Sequence, residues 1–560
     1  LITATETKIT PPVTPIAVNP VSINPVATST ELTPTFSAAN PDSSSVGQQK
    51  SSFWKLGRLD NTSDNKLGKK VAIALGSLFL SATLIAGYRS FTQADITIDA
   101  SSPESLEEAI SKLEDKVDSR PTDAKANLLL AEGYAHAGEY EAAQGIVEDV
   151  LSSDADNAEA LLAKGQLQMR SGDYTEALNL FTQIVEQDNK NAEALNMLGR
   201  VYYEVGQYDN ALAQFEAAKD IAPDNAAFYV NLLTTNQIKG DFSSALEEAE
   251  TALSKADPDQ LMQVYSTRGN LYLELSDSDA ATDSWELSLA QVPNNAGEHV
   301  TQAFSHIGLK DSSQAMRSIS QALEINPNMI DAYIARSLVH FSNGRAEKAL
   351  SDINVALAQN PNAVSALQTR ATINSTKETP DTETALNDLA KALEINPNSP
   401  YTLNQRCELY LSTQVVDQAI SDCTKAIETN HNYAAAYTQR GQAYIAQKNY
   451  ESAEQDFTSV IEINDTLEKP QVSDIYGSRA YARVELGNNK GAEADMSEAI
   501  ALDPDNPQYY QLRGMLRVIA ERPEEAGPDL KKSQELYKAQ GKDNEELNQT
   551  IGLLEQTGLL

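Results

Sequence analysis

Small and apolar residues recur along most of the chain at a spacing of 34 residues. In the clearest copy, residues 192–225, Gly199 and Ala211 are small, whereas Tyr202 and Phe215 are aromatic. Small side chains let two helices approach closely, and aromatic rings fill the space between layers. Each copy therefore predicts two helices, A and B, that bury their apolar faces against each other and against the neighbouring copies.

The 34-residue phase continues almost to the end of the printed sequence. We place twelve copies, which begin at Ala124, Ala158, Ala192, Ala226, Met262, Ala296, Ile330, Val364, Pro400, Ala434, Ser473 and Pro507. They predict an all-α solenoid of about twelve helix-turn-helix repeats over residues 124–540. An amphipathic helix at 101–120 is expected to precede it, and a helix within 541–560 is expected to cap its open end.

These copies resemble the tetratricopeptide repeat (TPR). The third copy matches the family pattern W-x2-L-G-x2-Y…A-x3-F…P, with Leu195 in place of the Trp and with Pro223 at the closing position. The resemblance implies a superhelix in which the A helices line a concave groove. Such a groove holds a peptide segment or a helix of a partner protein, and the resemblance implies neither a catalytic centre nor a cofactor.

The same resemblance indicates which side chains face the groove. Amides can bond a peptide backbone, and tyrosines add contact area at low entropic cost. The positions carried over are Asn196, Arg200, Tyr203, Asn231, Asn270, Tyr401, Asn404, Gln442, Tyr481 and Gln511. The alternative is ordinary polar exposure at each of these positions.

A second regularity is confined to the later copies, where helix A supplies an arginine and helix B of the same copy supplies an aspartate. The predicted pairs are Arg336–Asp352, Arg370–Asp388, Arg406–Asp422, Arg440–Asp456, Arg479–Asp495 and Arg513–Asp529. The planar guanidinium fork can meet a carboxylate with two hydrogen bonds. We interpret the pairs as locks between the two helices rather than as a charged ladder for a ligand, because each Arg already has its own Asp.

A run of 18 residues without a charge, 71–88, is long enough to cross a bilayer as a helix. Residues 50–70 carry six basic and two acidic side chains, whereas residues 89–108 carry one basic and five acidic ones. Under the positive-inside rule, a Pro-, Ser-, Thr- and Asn-rich disordered tail (1–69) stays in the cytoplasm, and a transmembrane helix (70–90) sends the repeats across. The array would be periplasmic if the protein is bacterial. A cleaved signal peptide is the alternative.

Composition removes several classes of function. The 43 basic and 80 acidic residues give a net charge of −37, which opposes the binding of nucleic acid. With two cysteines and five histidines, no metal site is expected. Cys407 and Cys423 face each other across the two helices of the ninth copy, where a disulfide and two buried thiols are equally compatible with the sequence.

The sequence thus predicts a membrane-anchored scaffold, not an enzyme, that binds other proteins through its groove in the assembly of an envelope complex. Two alternatives remain open at this stage. The chain is a regulatory or positioning subunit of a membrane-associated enzyme or secretion machine, or it is a cytosol-facing receptor similar to the TPR import receptors of organelles.

Overall fold

The computed structural model describes residues 98–466, 472–541, 545–556 and 558, and all 26 regular elements in this part of the chain are α-helices. In chain order they are α1 (Pro103–Ser119), α2 (Ala124–Ala137), α3 (Tyr140–Ser153), α4 (Ala158–Ser171), α5 (Tyr174–Gln187), α6 (Ala192–Glu204), α7 (Tyr208–Ile221), α8 (Ala226–Lys239), α9 (Phe242–Lys255), α10 (Leu261–Glu274), α11 (Ser278–Leu289), α12 (Ala296–Gly308), α13 (Ser312–Ile325), α14 (Ile330–Ser342), α15 (Ala346–Gln359), α16 (Val364–Thr376), α17 (Thr382–Ile395), α18 (Pro400–Ser412), α19 (Val416–Thr429), α20 (Ala434–Gln447), α21 (Tyr450–Thr466), α22 (Ser473–Glu485), α23 (Asn489–Leu502), α24 (Pro507–Ile519), α25 (Pro523–Ala539) and α26 (Glu545–Gln556). The predicted all-α solenoid is confirmed.

Helices α2 to α25 form twelve A/B pairs, copies 1 to 12. Their A helices begin at the residues that the 34-residue phase indicates, except that α10 begins at Leu261, one residue before Met262. The predicted tail and transmembrane helix, 1–69 and 70–90, lie outside the described residues. Within the described part, none of the helices combines the length and the hydropathy that crossing a bilayer needs.

Local chemistry sets the ends of the A helices. Asn157 and Asn191, the residues before α4 and α6, each accept a backbone N–H of the first turn at 3.0 Å. Such N-caps satisfy amide groups that have no partner inside the helix. Gly138 and Gly172 end α2 and α4 in the left-handed region, with φ of 82° and 81°. The chain then reverses into helix B within a few residues.

In several pairs a glycine of helix A packs against an aromatic side chain of helix B. A Cβ added to Gly199 would lie 2.6 Å from the ring of Phe215, and one added to Gly269 would lie 2.5 Å from the indole of Trp285. Both aromatic side chains are almost completely buried. The sequence pattern of small and aromatic positions therefore sets the distance between the two helices.

The repeats coil far enough that copies 1 to 4 meet the loops that precede copies 7 to 10. We call copies 1 to 6 the first coil and copies 7 to 12 the second coil. Four A/B turns of the first coil contact the four Asn-x-Asn loops that precede copies 7 to 10, and we call these contacts the seam. The turns carry Gly138, Gly172, Gly206 and Gly240, and the loops are 326–328, 360–362, 396–398 and 430–432. In each contact the second Asn donates its side-chain amide to the carbonyl of the glycine, at 2.9 to 3.2 Å.

The two terminal helices of the described part cover apolar surface. Helix α1 packs on α2 and also reaches α13 of copy 6, and it buries Leu106 and Leu113. Helix α26 packs on α25, where Leu554 joins Ala526 and Leu530. Both helices thus shield the first and last repeats from water.

Candidate protein-binding channel

The first coil surrounds a channel of about 980 Å³ that is partly open to solvent. Its wall comes from the A helices of copies 1 to 6 and from the residues that begin copies 7 and 8. The seam places the loops before copies 7 and 8 along the open side of the groove, which narrows the groove into this channel. The volume lies at the upper end of the range for ligand-binding clefts.

Four of the residues predicted to face a partner line this channel: Asn196, Arg200, Asn231 and Asn270. Asn231 donates its side-chain amide to Oδ1 of Asn196 at 2.7 Å, and Asn270 accepts the indole N–H of Trp285 at 3.1 Å. These bonds fix the orientation of the amides in the wall. The side chains brought together here come from three consecutive A helices, α6, α8 and α10.

Four other predicted residues, Tyr203, Tyr401, Asn404 and Gln511, are buried within the fold and do not line the channel, so their role in partner binding remains a prediction. Tyr401 donates to the carboxylate of Glu274 at 3.0 Å, and Gln511 accepts from the hydroxyl of Tyr537 at 3.3 Å. The resemblance implies an open groove along all copies. Instead, Tyr203 and Tyr401 share an apolar cluster between copies 3 and 9, and Gln511 is covered by Tyr537 of its own copy.

The last two predicted contacts lie away from the channel. Gln442 is exposed on α20, and Tyr481 is half-buried on α22 with its ring edge-to-face against Tyr450 at 6.0 Å. The structure therefore divides the ten predicted residues into four that line the channel, four that are buried elsewhere in the fold and two that lie outside both groups. A role for Gln442 and Tyr481 in partner binding remains a prediction.

Tyrosines fill the interior next to the channel. Tyr203 and Tyr208 of copy 3 pack edge-to-face at 5.6 Å and share an apolar cluster with Tyr401 of copy 9. Tyr401 in turn packs edge-to-face on Tyr433 at 5.4 Å. Since these rings join the two coils, they hold the superhelix closed from inside.

The channel is acidic. Seven carboxylates and two arginines line it: Glu193, Glu204, Asp224, Asp257, Asp259, Glu298 and Asp331, with Arg170 and Arg200. Burial raises the pKa of Glu204 to about 7 and that of Asp331 to about 6, and the nearby arginines only partly offset this effect. The protein therefore holds negative charge in an unfavourable environment.

Arg170 connects the channel wall to the seam. Its guanidinium lies 3.4 Å from the ring centroid of Tyr140 and donates to the carbonyl of Asn328 and, at 3.3 Å, to the side chain of Gln359. A stacked arginine with several acceptors is held in one orientation. Arg170 therefore helps to close the two coils.

All six Arg–Asp pairs of the later copies are in contact. The shortest N–O distances are 2.6 to 2.7 Å, and the side chains of the aspartates are at most 9% exposed. Four arginines also donate to helix B of the preceding copy, namely to Asn354, Thr424, Thr458 and Ser497. The arginines therefore join the two helices of their own pair and, in four cases, also bind the preceding pair.

Cys407 and Cys423 form a disulfide that joins α18 and α19, with their Cα atoms 5.7 Å apart. Both residues are fully buried in copy 9, the copy that follows loop 396–398 and precedes loop 430–432 of the seam. The bond therefore constrains the repeat that carries two of the four seam contacts.

The seam itself was not predicted from the sequence, although the sequence contains its signal. The pattern Asn-x-Asn occurs at 326–328, 360–362, 396–398 and 430–432, about 190 residues after Gly138, Gly172, Gly206 and Gly240. In A/B turns that are not part of the seam, the same left-handed position is occupied by Ser276, Lys310, Gln414, Lys448 and Glu521. Glycine is thus restricted to a few turns, including all four of the seam.

Sequence profiles described as "Tetratricopeptide repeat" match residues 103–167 and 168–234, and a second such profile matches residues 434–466 and 473–506. The matched segments are tetratricopeptide repeats, which confirms the resemblance found in the sequence. Among curated proteins, none matched the sequence.

Three solved structures are similar to this chain. The crystal structure of the APC/C hetero-tetramer Cut9-Hcn1 aligns with a TM-score of 0.47 and 11% identity, over 81% of this chain and 93% of that one. A tetratricopeptide repeat protein from Parabacteroides merdae ATCC 43184 aligns with a TM-score of 0.33 and 24% identity, over 46% of this chain and 98% of that one. Yeast Tom70 aligns with a TM-score of 0.35 and 16% identity, over 72% of this chain and 96% of that one.

Proposed function

We propose that this chain is a scaffold that binds a segment of another protein inside the channel of its first coil. The observation that carries the proposal is the channel itself, a preformed space walled by oriented amides and carboxylates. A wall held by the seam loses little conformational freedom when a partner binds, which favours affinity. The chain acts in this proposal by holding a partner rather than by chemical turnover.

We further propose that residues 70–90 anchor the chain in a membrane, with the repeats outside the cytoplasm and a role in assembling an envelope complex. The uncharged run and its basic and acidic flanks support this arrangement. The bond between Cys407 and Cys423 also supports it, since disulfides persist in oxidising compartments.

Site-specific photo-cross-linking tests the binding site. p-Benzoylphenylalanine is placed at Gln260 on the channel rim or, as a control, at Glu428, which is exposed on α19. After irradiation of membranes that contain the full chain, we expect defined protein adducts from position 260 and none from position 428. Adducts from the outer position alone, or from neither, would contradict the proposal.

Protease accessibility tests the placement. Intact cells and cells with an opened outer barrier are treated with protease, and the repeats are detected with an antibody. We expect cleavage of the repeats once the barrier is opened while the cytoplasmic membrane is intact. Protection until the cytoplasmic membrane is lysed would place the array on the other side.

A further inference from the structure

The charges of the channel fall into two groups. Asp224, Asp257 and Asp259 are exposed, and together with the half-buried Glu298, on which Asp259 acts, we call them the rim. Glu193, Glu204 and Asp331 are half-buried, and we call them the deeper group. Asp224 already forms an ion pair with Lys255, whose Nζ lies 2.6 Å from Oδ1 of Asp224. No lysine lines the channel among the described residues. Apart from Asp224, six carboxylates and two arginines line the channel.

The rim concentrates negative charge where a partner enters. Asp257 and Asp259 are exposed in the loop before α10. Burial raises the pKa of Glu298 on α12, and the negative charge of Asp259 raises it further. Two carboxylates that interact in this way repel each other. A cation between them would relieve that repulsion.

In the deeper group, burial raises the pKa of Glu204 and Asp331 by more than the facing arginines lower it. Arg200 faces Glu204, and Arg170 faces Asp331, but Asp331 also raises the pKa of Glu204. Arg170 is held by its stacking on Tyr140 and its bond to Gln359. A half-buried carboxylate pair of this kind gains most from an added cation, because its desolvation cost is already present in the empty protein.

The wall also offers hydrogen-bonding groups at intervals. Gln166 and Gln263 are half-buried in the channel wall, beside Asn196, Asn231 and Asn270, which are at most 5% exposed and already bonded within the protein. Amides can pair with the N–H and C=O groups that an extended backbone leaves free. A helical segment would have used those groups internally.

We propose that the occupant of the channel is an extended polypeptide segment rich in Lys and Arg, with small or polar residues between the cations. The inference rests on the proposed function, since it takes the channel as the binding site, and it adds the chemistry of the partner. The segment's cations reach the rim carboxylates and the Glu204–Asp331 pair, and its backbone lies against the amides.

Fluorescence anisotropy with three labelled twelve-residue peptides tests the proposal on the full chain in detergent. The peptides alternate Ser with Lys, Gln or Glu. We expect the Lys peptide to bind at least tenfold more tightly than the Gln peptide, with an affinity that falls as salt is added, and the Glu peptide not to bind. Equal binding of the Lys and Gln peptides, or equally tight binding of spermidine, would overturn the proposal.

A matched pair of variants separates the channel from the overall negative charge. Glu204→Gln with Asp331→Asn removes two carboxyl groups from the channel, and Glu378→Gln with Glu428→Gln removes two from exposed positions of the second coil. Binding is measured at pH 8, where Glu204 and Asp331 are mostly ionised. We expect the first variant to weaken binding of the Lys peptide by about fivefold to twentyfold, and the second by less than twofold. Equal losses in both variants would show that the attraction is not located in the channel.

The variants remain folded on physical grounds, because the amides have the shape of the carboxylates and remove a desolvation cost. Thermal unfolding by circular dichroism checks this. The outcomes also separate the two proposals. Cross-links at Gln260 without a preference for the Lys peptide would leave the scaffold function standing and reject the basic segment, whereas the absence of these cross-links would reject the binding site itself.

Discussion

At the scale of single residues, the fold places polar groups in two different situations. The Arg–Asp pairs are satisfied bidentate contacts, and their arginines and aspartates were assigned from their spacing alone. Glu204 and Asp331 in the channel are instead incompletely compensated, because burial raises their pKa values by more than the nearby arginines lower them. The first situation stabilises the protein, and the second reduces its stability while it prepares a site.

Glu204→Gln is expected to stabilise the protein, and more so as pH rises. Folding raises the pKa of Glu204 from an ordinary value near 4.5 to about 7, so the folded state binds more protons than the unfolded one between these pH values. The stability that the folded state gains from protonated Glu204 is therefore complete below pH 4.5 and is lost as pH rises through 7. The titratable and charged groups that act on the carboxyl group of Glu204 are those of Arg200, Asp331, Tyr174, Tyr203 and Tyr208.

Urea unfolding at pH 8 and pH 5 measures this effect. We expect the Gln variant to gain about 1–3 kcal/mol at pH 8 and clearly less at pH 5, with the exposed Glu428→Gln as the control. A gain of the same size at both pH values would show that the pKa of Glu204 is not raised.

Asp456→Ala is expected to destabilise the second coil. Asp456 is 6% exposed at its side chain and accepts two hydrogen bonds from Arg440, which would be left half-buried without its carboxylate. Breaking such a pair costs about 2–4 kcal/mol. Urea unfolding measures the loss, and the exposed Glu428→Ala is expected to change the free energy of unfolding by less than about 0.5 kcal/mol.

At the scale of elements, equivalent turns differ because their surroundings differ. Gly240 and Gly344 both end the first half of a repeat with positive φ, 79° and 71°. The Cβ position of Gly240 is occupied by the side chain of Asn430, whereas nothing lies within 4 Å of that of Gly344. A local sequence window gives both turns the same conformation, and only the contact one coil away distinguishes them.

Gly240→Ala and Gly344→Ala therefore form a matched pair. Both introduce a side chain at positive φ, at a cost of about 1 kcal/mol. Gly240→Ala also displaces Asn430 and weakens the bond from Asn432 to the carbonyl of residue 240. We expect it to lose about 1–2 kcal/mol more than Gly344→Ala in urea unfolding. Equal losses would mean that the seam contributes nothing to stability.

At the scale of the molecule, the sequence was sufficient for the helix pairs but not for the channel. Residues such as Gly199 and Phe215 act within one repeat, so a 34-residue period reveals them. Closure of the superhelix depends on small rotations summed over six repeats, which no single repeat contains. For this reason Tyr203 and Tyr401 were assigned to a groove although they pack in the interior.

The closed channel is the central claim, since both the binding site and its acidic character depend on it. Spin labels at Gln207, in an A/B turn of the seam, and at Glu394, just before loop 396–398, report on it directly. Both residues are exposed, and pulsed electron paramagnetic resonance on the full chain measures their separation. A single short distance with a narrow distribution is the predicted result. A long or broad distribution would show an open solenoid with a groove, and would contradict the account.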